Sequence, residues 1–122
     1  MNLSPHFSLK ELTYTDHREY DNTPPPAALA NLYRLAVLLE RVKVVLGGKP
    51  VVVNSGYRSK AVNDAVGSKD SSQHRTGCAA DIRVPGMTPD QVVRAILAAG
   101  LVFDQVIKEF DRWVHISVTS RP

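Results

Sequence analysis

The stretch SSQHRTGCAADIRV, residues 71–84, sets a histidine among small polar residues and an aspartate inside what otherwise reads as a buried strand. A bare carboxylate is costly to bury or shifts its proton affinity. Asp81 therefore needs a compensating partner: an arginine, a backbone turn or a metal. A further histidine, His115, lies in WVHIS at 113–117. His74, Asp81 and His115 together make a nitrogen and oxygen set suited to one Zn²⁺ ion with a fourth position left open for water. The spacing 74/81/115 also admits another reading. In it His74 is a loop histidine, Asp81 pairs with Arg83 or Arg58, and His115 is a half-buried strand residue. His6 and His17 lie in polar N-terminal segments and read as surface or capping residues.

Several elements must position these side chains. Ser8 followed by Glu11 is a capping-box pattern opening a short helix. Residues 16–26 are polar and end in three prolines, a loop whose last prolines can occupy a helix's first turn. Leu29, Leu32, Leu35, Ala36, Leu39, Val42 and Leu46 recur at helical spacing, and Gly47 and Gly48 end that helix. Val51 to Val53 read as a short buried strand breaking at Asn54, Ser55 and Gly56. A short helix follows and stops at Gly67. A loop then leads to the strand CAADIRV, closed by Pro85 and Gly86. Thr88, Pro89, Gln91 and Gly100 mark a second well-capped helix. The tail from Leu101 reads as two strands joined near Asp111 and Arg112. Helices and strands mix without regular alternation, so the expected class is α+β, with a small, mostly antiparallel sheet flanked by helices and the candidate site at the sheet.

The 122 residues suit a single domain, 1–122, with one core. A hydrophobic content of 43% and a charged content of 22% are ordinary for a globular chain. No apolar run reaches the ~20 residues of a membrane span, and the N-terminus lacks the pattern of a secretory signal. The single cysteine excludes an internal disulfide. The net charge of +3 comes from scattered lysines and arginines without an aromatic-basic interleave. Nucleic acid is therefore not an expected partner, while an anionic polymer such as a bacterial cell wall is compatible.

Tyr57 and Arg58 in SGYRS, Asn63, the pattern S-x-H-x-x-G-x-A-x-D (Ser72, His74, Gly77, Ala79, Asp81) and WVHIS resemble the zinc D-alanyl-D-alanine carboxypeptidase family. That family includes the vancomycin-resistance dipeptidases and phage cell-wall endopeptidases. The resemblance runs from about Phe7 to Val118. It implies one zinc ion held by His74, Asp81 and His115. Arg58 matches the arginine that orients substrate or stabilises a developing oxyanion, and Ser72 and Tyr57 match positions near the substrate. It further implies a peptidase acting on peptidoglycan peptide stems. A monomer is expected, and the lack of a signal pattern with the single cysteine fits synthesis in the cytoplasm and action after release, as a phage or prophage product would.

Such a peptidase needs a general base beside the attacking water. The dipeptidase branch often carries an acid three residues before the last histidine. Arg112 occupies that position here, which leaves Glu109 and Asp111. Strand parity favours Glu109. A turn over residues 111–113 sets Phe110 opposite Val114 and Glu109 opposite His115, about 5 Å apart between Cβ atoms. It also gathers Val106, Phe110, Val114, Ile116 and Val118 on a core face. Asp111 falls in the turn. The same parity turns Cys78 away from Asp81 and into the core, and Trp113 reads as an apolar anchor. Two other functions fit this sequence: a non-catalytic zinc module for binding cell wall or protein, as in the hedgehog signalling domain, and a phage structural component of the same fold.

Overall fold

The computed structural model describes residues 1–120. A two-stranded ribbon opens the chain, β1 (Asn2–Ser4) with β2 (Phe7–Ser8), and runs into the one-turn helix α1 (Leu9–Leu12). Ser8 and Glu11 close the expected capping box. The ribbon itself was not expected. Its strands are two and three residues long, too short to carry a readable alternation. It is tied down from a distance. Ser4 Oγ and His6 N each donate to Glu40 Oε2 at 2.6 Å, and His6 Nδ1 lies 2.7 Å from Glu40 Oε1.

Burial pushes the Glu40 carboxyl up, but the hydrogen bonds from Ser4 and His6 outweigh it and hold it below its ordinary value. A depressed carboxyl stabilises the fold above its unfolded value and loses that contribution as pH falls through the folded one. Glu40→Gln should therefore cost about 1 kcal/mol near neutral pH, and the gap between variant and parent should close below about pH 4. Thermal unfolding across pH checks this, and a gap independent of pH would refute it.

Helix α2 (Pro26–Val45) begins with Pro25 as N-cap and Pro26 in its first turn, where a missing N–H costs nothing. It buries Leu32, Leu35, Leu38, Leu39 and Val42. Each such side chain contributes about 1.5–3 kcal/mol relative to exposure. Leu38 joins the buried set, while Leu29 is only partly covered. β3 (Val52–Ser55) and α3 (Lys60–Ala65) follow, then a 3₁₀ turn at Gln73–Thr76, β4 (Ala79–Arg83) and α4 (Pro89–Ala98). Thr88 and Gln91 cap α4 reciprocally. β5 (Gln105–Glu109) and β6 (Trp113–Ser117) end the regular structure. Among the described residues no helix is long and apolar enough to cross a membrane.

The main sheet is antiparallel, in the order β3-β4-β6-β5. The protein is thus α+β with small antiparallel sheets, as expected. Ala80, Ile82, Val114 and Ile116 face the helices and join the core. Cys78 is buried in that core, as strand parity required. The alternate residues Asp81, His115, Ile107 and Glu109 face the opposite side and line a cavity. One sheet thus supplies both the core wall and the site floor, because successive strand residues point to opposite faces.

The β5–β6 hairpin corrects one expectation. Glu109 pairs with Trp113 and Ile107 pairs with His115, so the register is displaced from the expected one while the parity is kept. Phe110 and Asp111 both take positive φ (54° and 53°), and Arg112 N donates to Glu109 O at 3.0 Å. The turn therefore sits at 110–112 rather than 111–113. Phe110 is 77% exposed instead of buried opposite Val114, and Lys108 takes that pairing.

Candidate metal centre and cavity

Separate parts of the fold deliver the functional groups. His74 lies on the 3₁₀ turn, which Ser72 caps by accepting from His74 N at 3.3 Å. The turn is fastened on both sides. Asn31 Nδ2 of α2 donates to Thr76 O at 2.9 Å, and Arg58 N donates to His74 O at 2.9 Å. Gly77 then leaves the turn at φ 79° with its α-carbon pressed on α2; a Cβ there would stand 2.5 Å from Ala28 O. Asp81 and His115 come from neighbouring strands and are directly paired in register.

The three side chains converge. His74 Nδ1 meets Gly56 O at 2.7 Å. A carbonyl only accepts, so His74 Nδ1 donates to it and Nε2 is the ring nitrogen turned inward. That Nε2 lies 3.3 Å from Asp81 Oδ1, and His115 Nδ1 lies 3.2 Å from the same oxygen. One ligand-capable atom from each residue lies within 4.8 Å of the others. Tetrahedral coordination at about 2.0–2.1 Å spaces ligand atoms about 3.3 Å apart, so the set fits a Zn²⁺ ion in donor chemistry and in spacing. Gly56, expected only to break the strand, matters twice. Its carbonyl orients His74, and a Cβ on it would stand 2.4 Å from Leu12 O.

Asp81 now has its partners. Burial pushes its carboxyl up, but hydrogen bonds from His115 and His74 and their charge outweigh this and hold it far below the carboxylate range. Arg83, one candidate partner, is exposed at the end of the strand opposite Val52. Arg58 is the cation that reaches the site, with Nη2 3.6 Å from Asp81 Oδ2. Its Nε donates to Ser55 Oγ at 3.1 Å and its Nη1 to Asn63 Oδ1 at 3.5 Å. Burial pulls the guanidinium below its ordinary value, while Asp81 and Glu109 draw it back up. Asn63 is fully buried and also donates to Ser68 O and Lys69 O, so it ties Arg58 to the loop that rims the cavity.

The cavity beside these groups measures about 720 Å³. Glu109 lines it, with Oε1 3.8 Å from His115 Nδ1. Asp111 instead pairs with Lys108 at 3.1 Å in the exposed turn. Ser72 lines the cavity while capping its turn. Tyr57 does not: its ring is buried in the core, and its N–H donates to Leu12 O at 2.8 Å. Adjacent residues of this loop diverge, Arg58 to the site and Tyr57 to the core, so a substrate contact by Tyr57 is not retained. Trp113 forms a wall of the cavity and stacks at a tilt on Phe110, with ring centroids 5.3 Å apart.

Sequence reasoning missed Gln73 and Asp104. Gln73 Oε1 lies 3.3 Å from His115 Nε2, and its amide nitrogen donates to Asp104 Oδ2 at 2.6 Å. No local pattern could have shown a contact between residues so far apart in the chain.

The model of a family described as Peptidase M15 matches residues 5–117. No curated protein matches the chain.

Proposed function

The chain belongs to the Peptidase M15 family, and from that premise we propose that it is a zinc-dependent peptidase hydrolysing peptide bonds in the stems or cross-links of bacterial peptidoglycan. The observation that carries this reading is the convergence of His74, Asp81 and His115 at an open cavity with a further, non-ligand carboxylate, Glu109, beside them. A closed structural site would spend a fourth side chain on the ion. Here the fourth group stands off.

Zinc, when bound, supplies Lewis-acid activation of water and of the scissile carbonyl. The chain's own groups do the rest. Glu109 Oε1 takes a proton from the attacking water as its oxygen bonds to the carbonyl carbon. It returns that proton to the departing amine nitrogen as the C–N bond breaks. Arg58, held by Ser55, Asn63 and Asp81, presents fixed positive charge to the tetrahedral oxygen. The indole and phenyl rings of Trp113 and Phe110 shield one side of the cavity.

Digestion of defined muropeptides by the zinc-loaded protein, with product masses, tests the reading. Cleavage at one peptide bond, abolished by a chelator and restored by zinc, is expected. A protein that binds one zinc ion yet leaves every stem and cross-link peptide intact would instead be a binding module.

A further inference from the structure

We propose that Gln73 and Asp104 form a positioning relay that sets the orientation and proton placement of His115 for metal binding. The inference rests on the reading of His115 as a metal ligand and goes beyond it, because neither residue belongs to the ligand set or to the groups assigned to the reaction.

The logic is one of donors and acceptors. A carboxylate only accepts hydrogen bonds. Asp104 Oδ2, at 2.6 Å, must therefore receive the amide N–H of Gln73. That choice removes the ambiguity of the Gln73 amide, whose carbonyl end must then point the other way. Gln73 Oε1 faces His115 Nε2 at 3.3 Å. An amide oxygen also only accepts, so Nε2 is the nitrogen that keeps its proton. Nδ1 is the nitrogen that faces Asp81 Oδ1, and with Nε2 committed to Gln73 it is the one that would offer its lone pair to a metal ion in place of that contact. The contacts from Asp104 through Gln73 thus hold the ring in the orientation that turns Nδ1 toward the candidate metal position. A ligating histidine held through its other ring nitrogen is more basic and fixed in orientation.

Asp104 is itself anchored where it stands. Its N–H donates to Ser117 O at 2.8 Å, and Ser117 Oγ reaches its Oδ2 at 3.5 Å. Ser117 is fully buried at the end of β6. Gln73, in turn, begins the 3₁₀ turn that carries His74, and its carbonyl accepts from Cys78 N at 3.1 Å. The relay therefore joins the element bearing one histidine to the strand bearing the other. His74 has a backbone carbonyl, Gly56 O, for the same purpose. His115 Nε2 meets the Gln73 side chain instead.

The test is zinc affinity, measured by competition with a chromophoric chelator, alongside the thermal midpoint of the metal-free protein. Gln73→Leu should weaken zinc about 10-fold or more with little change in the metal-free midpoint. Gln73→Glu alone sets two carboxylates against each other and should also weaken zinc. The double variant Gln73→Glu/Asp104→Asn reverses the donor between positions 73 and 104 but still presents an acceptor to His115. It should return to within about threefold of the parent, an energetic coupling that a packing role would not produce. In the zinc-loaded parent, ¹⁵N spectra should show His115 protonated at Nε2. Gln73→Leu with parental zinc affinity, additive effects in the double variant, or an Nδ1-protonated His115 each overturn the relay. A parent chain that binds no zinc overturns the metal centre as well, so the two failures are told apart by the parent alone.

Discussion

Glu109→Ala should bind zinc as the parent does and lose about 10²–10⁴-fold in hydrolysis, the usual contribution of a positioned base. His115→Ala should lose both zinc and hydrolysis. The contrast follows from geometry. Glu109 Oε1 stands 3.8 Å from His115 Nδ1 and faces the cavity, whereas His115 Nδ1 is one of the three converging ligand atoms. The pairing in the hairpin sets Glu109 opposite Trp113, diagonal to His115. That diagonal offset holds a carboxylate beside the three candidate ligands without making it one of them. Zinc content by elemental analysis and turnover of a muropeptide give the two readouts. A zinc-loaded Glu109→Ala protein with parental turnover would show that the proton is carried elsewhere. Asp111→Ala then serves as the control, since its carboxylate is 81% exposed and paired with Lys108, and it should change turnover less than twofold.

Gly77→Ala should be strongly destabilising. The left-handed backbone at φ 79° costs an L-residue about 1–2 kcal/mol. The added Cβ would also lie 2.5 Å from Ala28 O and 3.1 Å from Leu32 Cγ. The first of these is helix backbone and cannot swing aside. Overpacking of this kind typically adds about 1–3 kcal/mol, so a total near 2–5 kcal/mol is expected, or a fall in thermal midpoint of roughly 10 °C or more. The site should suffer with the fold, because pushing the 3₁₀ turn off α2 strains the Asn31–Thr76 bond and moves His74. Calorimetry with and without zinc checks both effects. A midpoint within 2 °C of the parent would mean that the turn and α2 are not in firm contact.

What could be read in the sequence was whatever repeats at short range. The leucines of α2, the boxes at Ser8/Glu11 and Thr88/Gln91, and the alternation along CAADIRV each declare themselves within a few residues, and each is present. Parity along the last hairpin put Glu109 on the face of His115 because a strand has only two sides. The register missed because Phe110 and Asp111 both adopt positive φ, a conformation for which phenylalanine carries no signal. Tyr57 misled for a related reason: one loop residue tells nothing about the direction of the next. Glu40, Gln73 and Asp104 act across 31 to 42 residues of chain, a distance over which polar side chains leave no periodic trace.

The direct pairing of Asp81 with His115 on the two inner strands of the sheet carries a kinetic consequence. Strands flanked on both sides are the last parts of a domain to open, and do so only when the whole domain unfolds. His74 is different: its four-residue turn is held by a few discrete fastenings, Asn31 to Thr76 O and Arg58 N to His74 O, and local opening needs only those to part. Of the three candidate ligands, two would then be held by the sheet and one by a latch. An ion held by the three would exchange by lifting of the 3₁₀ turn while the sheet stays closed, and its lifetime would follow the fastenings of that turn rather than the stability of the fold.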